Sequence, residues 1–421
     1  MKILALNCGS SSAKYQLYDW QKKQVLCKGI VEKVVVDHGK GAFIKHEVPD
    51  RPVYKQDYPC PSHKDALKLI FDTLVDPKLG VLQSIQEISA IGHRVVHGGS
   101  KFARSVSITS EVLAKLKENI ALAPLHNPAN IEGILAAQEL MPNLPQIGVF
   151  DTAFHQTMPP HAYLYAGPYE WYEKYEVRRY GFHGTSHLYV SKRAAVLLNK
   201  PYAECNIITM HIGNGVSHTA IKNGISVDTS MGLTPLEGAI MGTRSGDLDP
   251  AIIPFICQRE NKTPAEVENL LNKSGGLKGI TGKYTDRRDI ERAAKEGDAR
   301  CQLAIEMEAY RLKKYIGAYM AVLGRVDALV FTAGAGENSP LLREKACEDL
   351  EFLGIRLDKQ VNSTARGKET LISTPDSRVK VFVIPTNEEL VFIEDVVAIL
   401  ENRYDMHTRF TYSFQSKDYK P

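Results

Sequence analysis

The sequence predicts an α/β protein made of two related domains. Three observations carry that prediction. The chain has 421 residues, past the size at which one hydrophobic core keeps growing. An apolar strand, a glycine turn and an alternating strand open it at 3–19, "ILALNCGSSSAKYQLYD", and the pattern returns at 206–230, "NIITMHIGNGVSHTAIKNGISVDTS". Around these copies, strand-like and helix-like stretches alternate. Gly9 and Gly213 hold matching places roughly half the chain apart, so each domain is expected to start with the same β-hairpin.

In the first copy, Ala13, Tyr15 and Leu17 alternate with Lys14, Gln16 and Tyr18, a period of two. The glycine turn therefore leads into a second strand, whereas the familiar phosphate loops lead into a helix. "ISAIGHRVVHGG" (88–99) reads as a short strand ending in a glycine turn. "SEVLAKLKENIALAP" (110–124) has helical spacing at Val112, Leu116 and Ile120, with Ser110 as its N-cap. "LPQIGVFDTAF" (144–154) is a strand that delivers Asp151 at its C-terminal end. In the second copy Val216, His218 and Ala220 alternate with Ser217, Thr219 and Ile221 before an Asn-Gly turn. An amphipathic helix at 306–324 feeds the strand "DALVF" and the turn "TAGAGENS" (332–339). The polar, aromatic-dotted tail 403–421 reads as a loosely packed appendage.

Composition narrows the function classes. Hydrophobic residues make up 43% and charged residues 24%, ordinary values for a folded domain, and net charge is only +3. That balance carries no nucleic-acid or membrane footprint. No apolar segment reaches the length of a membrane span, and the N-terminus lacks a leader pattern. Seven scattered cysteines without a C-x-x-C pair point to reduced thiols and a cytoplasmic location, and against a disulfide frame or zinc site.

Three glycine turns follow apolar strands: "NCGSSS", "HIGNG" and "TAGAGENS". Each alone is compatible with ordinary hairpin chemistry; three together favour convergence on one nucleotide. "GGLKGITGKY" (275–284) fails the P-loop pattern at Leu277 and Tyr284, and "GAGENS" lacks the third glycine of the dinucleotide fingerprint. Arg94, Asp151, His183, Arg244 and Glu388 stand at strand ends or in glycine-rich loops. A lone arginine is commonly a surface ion pair and a lone histidine a satisfied core residue. Arg94 and Arg244, however, lie where backbone can approach a ligand, and guanidinium forks suit carboxylate and phosphate oxygens. Asp, Glu and Asn side chains supply hard oxygen for magnesium.

The strings "NCGSSSAKYQL", "GHRVVHGG", "LAPLHNPANI", "VFDTAFHQTMP", "RRYGFHGTSH", "HIGNGVS", "DTSMGLTPLEGAIMGTRSGDLDP", "FTAGAGENS" and "IPTNEEL" together resemble the acetate kinases. The resemblance runs in order from residue 1 to about residue 400. It implies two duplicated ribonuclease-H-like domains of the actin-like ATPase type, with an interdomain active-site cleft that grips ATP phosphates between hairpins. The N-terminal domain would be 1–152, completed by 389–421; the C-terminal domain, 153–388, would carry most of the nucleotide site.

The resemblance also implies roles. Asn7 and Glu388 would hold magnesium, with manganese as a substitute, and Ser10, Ser12 and Lys14 would reach the ATP or ADP phosphates. His211, Ile212, Gly213, Asn214 and Gly215 would bind the phosphates. Asp286, Arg287 and Arg288 with Gly334, Ala335, Gly336, Glu337 and Asn338 would surround the adenosine. Arg94 would bind the substrate carboxylate, and Val96, Leu125, Phe182 and Pro235 its methyl group. Asp151 carries the family's acid/base label; His183 and Arg244 carry its transition-state roles. Cys8 stands where Ala is common, Ala335 where Ile is usual, and Arg287 where the family has an apolar residue.

The implied reaction is reversible, magnesium-dependent transfer between ATP and acetate, giving ADP and acetyl phosphate, by a cytoplasmic homodimer. The alternatives are a propionate or other short-chain acyl kinase and, more remotely, a non-kinase actin-like ATPase. A carboxylate nucleophile has a pKa of about 4 to 5 and is already ionised at neutral pH. Asp151 is therefore expected to orient an arginine or a magnesium-bound water instead of abstracting a proton.

Overall fold

A computed structural model describes residues 1–124 and 126–420. The chain divides into two units, Met1–Phe154 with Asn387–Tyr412, and His155–Thr386 with Ser413–Pro421.

The first unit is built on an eight-stranded sheet. Its strands are β1 (Lys2–Gly9), β2 (Ser12–Asp19), β3 (Gln24–Glu32), β4 (Phe43–Glu47), β5 (Tyr54–Asp57), β6 (Ile88–Val95), β7 (Val106–Ser107) and β8 (Gln146–Phe150), in the order β5-β4-β3-β2-β1-β6-β8-β7. β1 and β2 pair antiparallel with Asn7 opposite Lys14 and Gly9 opposite Ser12. β1, β6 and β8 run parallel. Helix His63–Val75, capped by the Ser62 hydroxyl, buries Ala66, Leu67, Ile70, Phe71 and Leu74 in the core of this sheet.

The second unit has a six-stranded sheet: β9 (Ile207–Ile212), β10 (Val216–Lys222), β11 (Ile225–Thr229), β12 (Ala328–Thr332), β13 (Thr370–Leu371) and β14 (Lys380–Val383). Its order is β11-β10-β9-β12-β14-β13, with β9, β12 and β14 parallel. The run β3-β2-β1-β6-β8-β7 of the first sheet and β11-β10-β9-β12-β14-β13 of the second share one topology, so the duplication read from the two hairpins extends over six strands. Helix Ala299–Leu323 carries an apolar stripe through Ala304, Leu312 and Ile316 and stops at Gly324, whose φ is 71°. No helix among the described residues is long and apolar enough to cross a membrane.

Four expectations are corrected. Thr109, not Ser110, caps the helix Ser110–Glu118, because its extended backbone lets the hydroxyl accept from the Val112 amide at 3.2 Å. "TAGAGENS" does not stay a turn: the chain enters the helix Ala333–Asn338 directly after β12. The tail is docked. Tyr412 and Phe414 are fully buried, and the Phe414 ring lies 4.6 Å from that of Tyr189. Finally, 413–420 packs with the second unit, where 389–421 was expected to complete the first: Arg193 donates to the Phe414 carbonyl at 2.7 Å and to that of Ser416 at 3.3 Å.

The first-unit part of the tail is held by a buried carboxylate. Tyr412 and Ser105 donate to Asp395 at 2.8 and 2.6 Å, while burial pushes the Asp395 pKa up to about 7. A raised carboxyl pKa means that the folded protein holds the proton more tightly than the unfolded chain. Stability from this group therefore falls as pH rises from about 4 towards 7. Tyr412→Phe removes one donor to the carboxylate and should cost about 1–3 kcal/mol. Urea melts should show the larger loss above pH 7, where Asp395 is ionised; a loss independent of pH contradicts this account.

Candidate active site

In the first unit the parallel strands β1, β6 and β8 bring Asn7, Arg94 and Asp151 to their C-terminal ends, the position where ligands gather in parallel sheets. The Asp151 amide bonds the Val95 carbonyl at 3.1 Å, which fixes the departure of the chain from β8. Arg94 Nε donates to both Asp151 carboxylate oxygens, at 3.0 and 3.2 Å, and Nη2 donates to Oδ2 at 2.6 Å. Asp151 is 1% exposed. Burial opposes the Arg94 charge, but Asp151 and Glu388 outweigh it and hold its pKa above the ordinary value. Nη1 of Arg94 has no partner among the described residues and remains free for a second carboxylate.

Glu388 opens the helix Glu388–Leu400, whose N-cap is Asn387. Desolvation, with Asp151 and Glu389 adding negative charge, pushes its carboxyl up to about 7 against the opposing Arg94. An acid pressed in this way is one that a cation would relieve. No three His, Cys, Asp or Glu side chains among the described residues gather into a metal cage. The donors present, the Asn7 amide and the Glu388 carboxylate, fit magnesium, which keeps water and phosphate oxygens in its shell. Asn7 and Lys14 also line a cavity of about 370 Å³ with Glu389. Ser10 sits at the exposed tip of the hairpin. Cys8 is buried, its thiol pushed up to about 12, and packs on Gly133, where an added Cβ would stand 2.5 Å from its sulfur. Its place is structural.

In the second unit, two side chains converge on the turn between β9 and β10. A Cβ added at Gly215 would lie 3.3 Å from His183 Nε2 and 3.7 Å from Arg244 Nη1, so glycine is what lets both approach. His183 has a left-handed backbone, φ 56°, at the start of helix Gly184–Leu197. Its ring stacks on His211 at 4.0 Å. His183 Nδ1 meets the Ser217 hydroxyl at 2.8 Å, and Ser217 meets His187 Nε2 at 2.7 Å. His187 Nδ1 in turn meets Thr209 at 2.7 Å. Burial and the neighbouring His155, His211 and His218 keep His187 neutral. In the sense in which His187 donates to Ser217 and Ser217 to His183, the remaining His183 proton sits on Nε2 and faces the turn. Arg244 is half-buried, yet among the described residues it meets no more than the Pro235 carbonyl at 3.4 Å and the Met241 sulfur at 4.0 Å. Burial lowers its pKa, and no carboxylate among the described residues meets it.

A cavity of about 770 Å³ adjoins this turn, walled by Gly213, Asn214, Asp286, Arg287, Arg288, Gly334, Ala335 and Asn338. Thr285, Glu291, Ser339 and Arg366 also line it and were missed, since no local pattern marks them. Asp286 caps the helix Arg287–Lys295 and forks onto Arg288, which pulls its pKa down to about 2. Gly336, Glu337 and Ile212 do not line it; Gly336 and Ile212 are buried. Glu337 Oε1 accepts from the amides of Ala333 at 2.8 Å and Thr386 at 3.2 Å, a scaffold role. Of the expected methyl-pocket residues, Val96 follows β6 in the first unit, and Phe182, 2% exposed, and Pro235 belong to the second. Leu125 lies outside the described residues.

A model of the Acetokinase family matches residues 2–394. The chain belongs to the acetokinase family. An acetate kinase of Geobacter metallireducens is 63% identical over 421 residues, covering 100% of this chain and 99% of that one. Among solved structures, an acetate kinase of Porphyromonas gingivalis aligns with TM-score 0.90 and 51% identity, over 95% of this chain and 99% of its own. A propionate kinase of Francisella tularensis aligns with TM-score 0.87 and 44% identity, over 94% and 98%. Members of the family are phosphotransferases with a carboxyl acceptor, so a guanidinium with one free edge and a glycine turn facing an unpaired arginine are the parts such a reaction needs.

The Ser217 link yields a test. Ser217→Ala leaves His183 Nδ1 without its hydroxyl, and kcat should fall about 10–100-fold with the KM for the acid substrate unchanged. Ser217→Thr should restore most of it. Steady-state kinetics with a melting check decide; an unchanged kcat shows that the link is only packing.

Proposed function

We propose that this chain catalyses reversible phosphoryl transfer between ATP and acetate, giving ADP and acetyl phosphate. The observation that carries the reading is Arg94, whose guanidinium is locked by buried Asp151 while Nη1 stays free. An ATPase that activates water has no use for such a group; an enzyme that must hold a small carboxylate does.

In this reading the acetate carboxylate lies on Arg94, and one of its oxygens attacks the γ-phosphorus as the bond to the β,γ-bridging oxygen breaks. The nucleophile is already ionised. Asp151, committed to Arg94 by three contacts, orients the arginine and takes no proton. Arg244 and the Nε2–H of His183 meet the equatorial phosphoryl oxygens, and the Asn214 and Gly215 amides meet the nucleotide phosphates. Asn7 and Glu388 would hold magnesium, which supplies neutralisation of phosphate charge. Phosphoryl transfer of this kind is positioning and charge stabilisation.

Propionate is the second reading, supported by the likeness to the Francisella tularensis enzyme. One methylene in an apolar pocket changes selectivity by only about 1–3 kcal/mol. Acyl phosphate trapping with hydroxylamine, run in parallel on acetate, propionate and butyrate, should give the highest kcat/KM for acetate. ATP turnover without a trapped product from any of them would refute the acceptor assignment.

Two substitutions separate the roles. Arg244→Ala should lower kcat by about 10³–10⁵ if it acts as an arginine finger. Arg94→Leu should raise the acetate KM far more than the ATP KM. Near-normal turnover in the first, or an unchanged acetate KM in the second, removes that residue from the mechanism.

A further inference from the structure

The turn His211–Gly215 offers an anion two backbone amides, those of Asn214 and Gly215, which donate to nothing among the described residues. Each is aimed by the carbonyl of its own peptide. A peptide unit is planar, so Gly213 C=O and Asn214 N–H point in opposite directions, as do Asn214 C=O and Gly215 N–H. Fixing the carbonyl fixes the amide. The Gly242 N–H holds the Asn214 carbonyl at 3.0 Å, and the Gly213 N–H holds that of Gly215 at 3.0 Å. The Gly213 carbonyl is held by a side chain: Arg287 Nη1, at 2.7 Å.

Arg287 occupies the position where the family resemblance expects an apolar residue. Its Nε donates to Glu308 at 2.8 and 3.1 Å, and Nη2 bonds the same carboxylate. Glu308 is 2% exposed on the inner stripe of helix Ala299–Leu323, so it needs a partner of this kind. With its charge met by Glu308, Arg287 is poorly placed to act as a phosphate ligand in its own right. One nitrogen is left over, and it reaches the turn.

We propose that Arg287 is a positioning residue for the nucleotide: Glu308 locks its guanidinium, and Arg287 holds the Gly213 carbonyl so that the Asn214 N–H faces the ATP phosphates. Gly213 has no Cβ to resist a peptide flip. Once released, this peptide can turn a carbonyl oxygen towards the phosphate in place of a donor. The inference rests on the reading that the turn binds the phosphates.

The test uses Arg287→Leu/Glu308→Leu, which removes the pair without stranding a buried charge, beside Arg287→Lys and Asn214→Pro, which deletes the amide itself. Kinetics with ATP and acetate, calorimetric titration with magnesium ADP and a thermal melt are run on each. The double variant should melt near the parent temperature. It should raise the ATP KM and the ADP Kd about 10–100-fold, with the acetate KM unchanged. Arg287→Lys should fall between. If the double variant does not fold, Arg287→Lys decides, and an ATP KM within twofold of the parent's overturns the proposal. If Asn214→Pro weakens nucleotide binding while the Arg287 variants do not, the proposal fails and the turn reading stands. If neither weakens it, the turn reading fails as well.

Discussion

A sheet covered on both faces admits charge only where its strands stop. β8, β9 and β12 are buried along their whole length, and β1 and β6 over most of theirs. Ionised groups within such strands would lose their hydration with nothing in return. The polar chemistry is therefore pushed to the carboxyl ends, where Asn7, Arg94 and Asp151 appear on three adjacent parallel strands. Even there Arg94 is tolerable because Asp151 meets it in a fork. Removing either partner would strand the other, so the pair is a constraint on the fold as much as a tool of the site.

The same logic explains which features could be read from the sequence. The hairpins were legible because a period of two and a glycine turn are local signals; the full sheet orders rest on parallel pairings between strands far apart in sequence. Arg94, Asp151 and Arg244 were legible because they punctuate strands or glycine-rich loops. Ser217, His187 and Glu308 were not. Ser217 lies on β10, where both faces are buried, so alternation carries no inside-outside information. Glu308 looks like any surface residue of an amphipathic helix until Arg287, 21 positions away, is seen to meet it. The tail read as an appendage because its aromatics are spaced without a period. Tyr412 and Phe414 find separate sites, one against Asp395 and one against Tyr189.

Beside the pair of Arg287 with buried Glu308, the second unit's core holds a chain of polar groups. Thr209, His187, Ser217 and His183 form one continuous line of hydrogen bonds from the interior to the glycine turn. Such a chain has few consistent proton arrangements: a neutral His187 at its centre leaves two, one for each direction of donation. The benefit is orientation. A histidine in a left-handed backbone conformation would otherwise have several ring positions open to it, whereas here one edge is committed to Ser217 and one face to His211. In a low-dielectric interior each of these bonds is stronger than in water, and each missing one costs correspondingly more.

Transfer between two anions poses a problem of where positive charge is left uncommitted. Of the cations at the site residues, Arg94 is met by Asp151, Arg287 by Glu308 and Arg288 by Asp286. Lys14 and Arg244 have no carboxylate partner among the described residues. The paired guanidiniums act through geometry: Arg94 is fixed by its fork onto Asp151, and Arg287, fixed by Glu308, holds the Gly213 carbonyl. The unpaired ones supply field. In the first unit the uncommitted positive charge is Lys14, and in the second it is Arg244. The uncharged amides of Asn214 and Gly215, aimed by their own peptide planes, add donors to the second unit without adding charge beside Arg244.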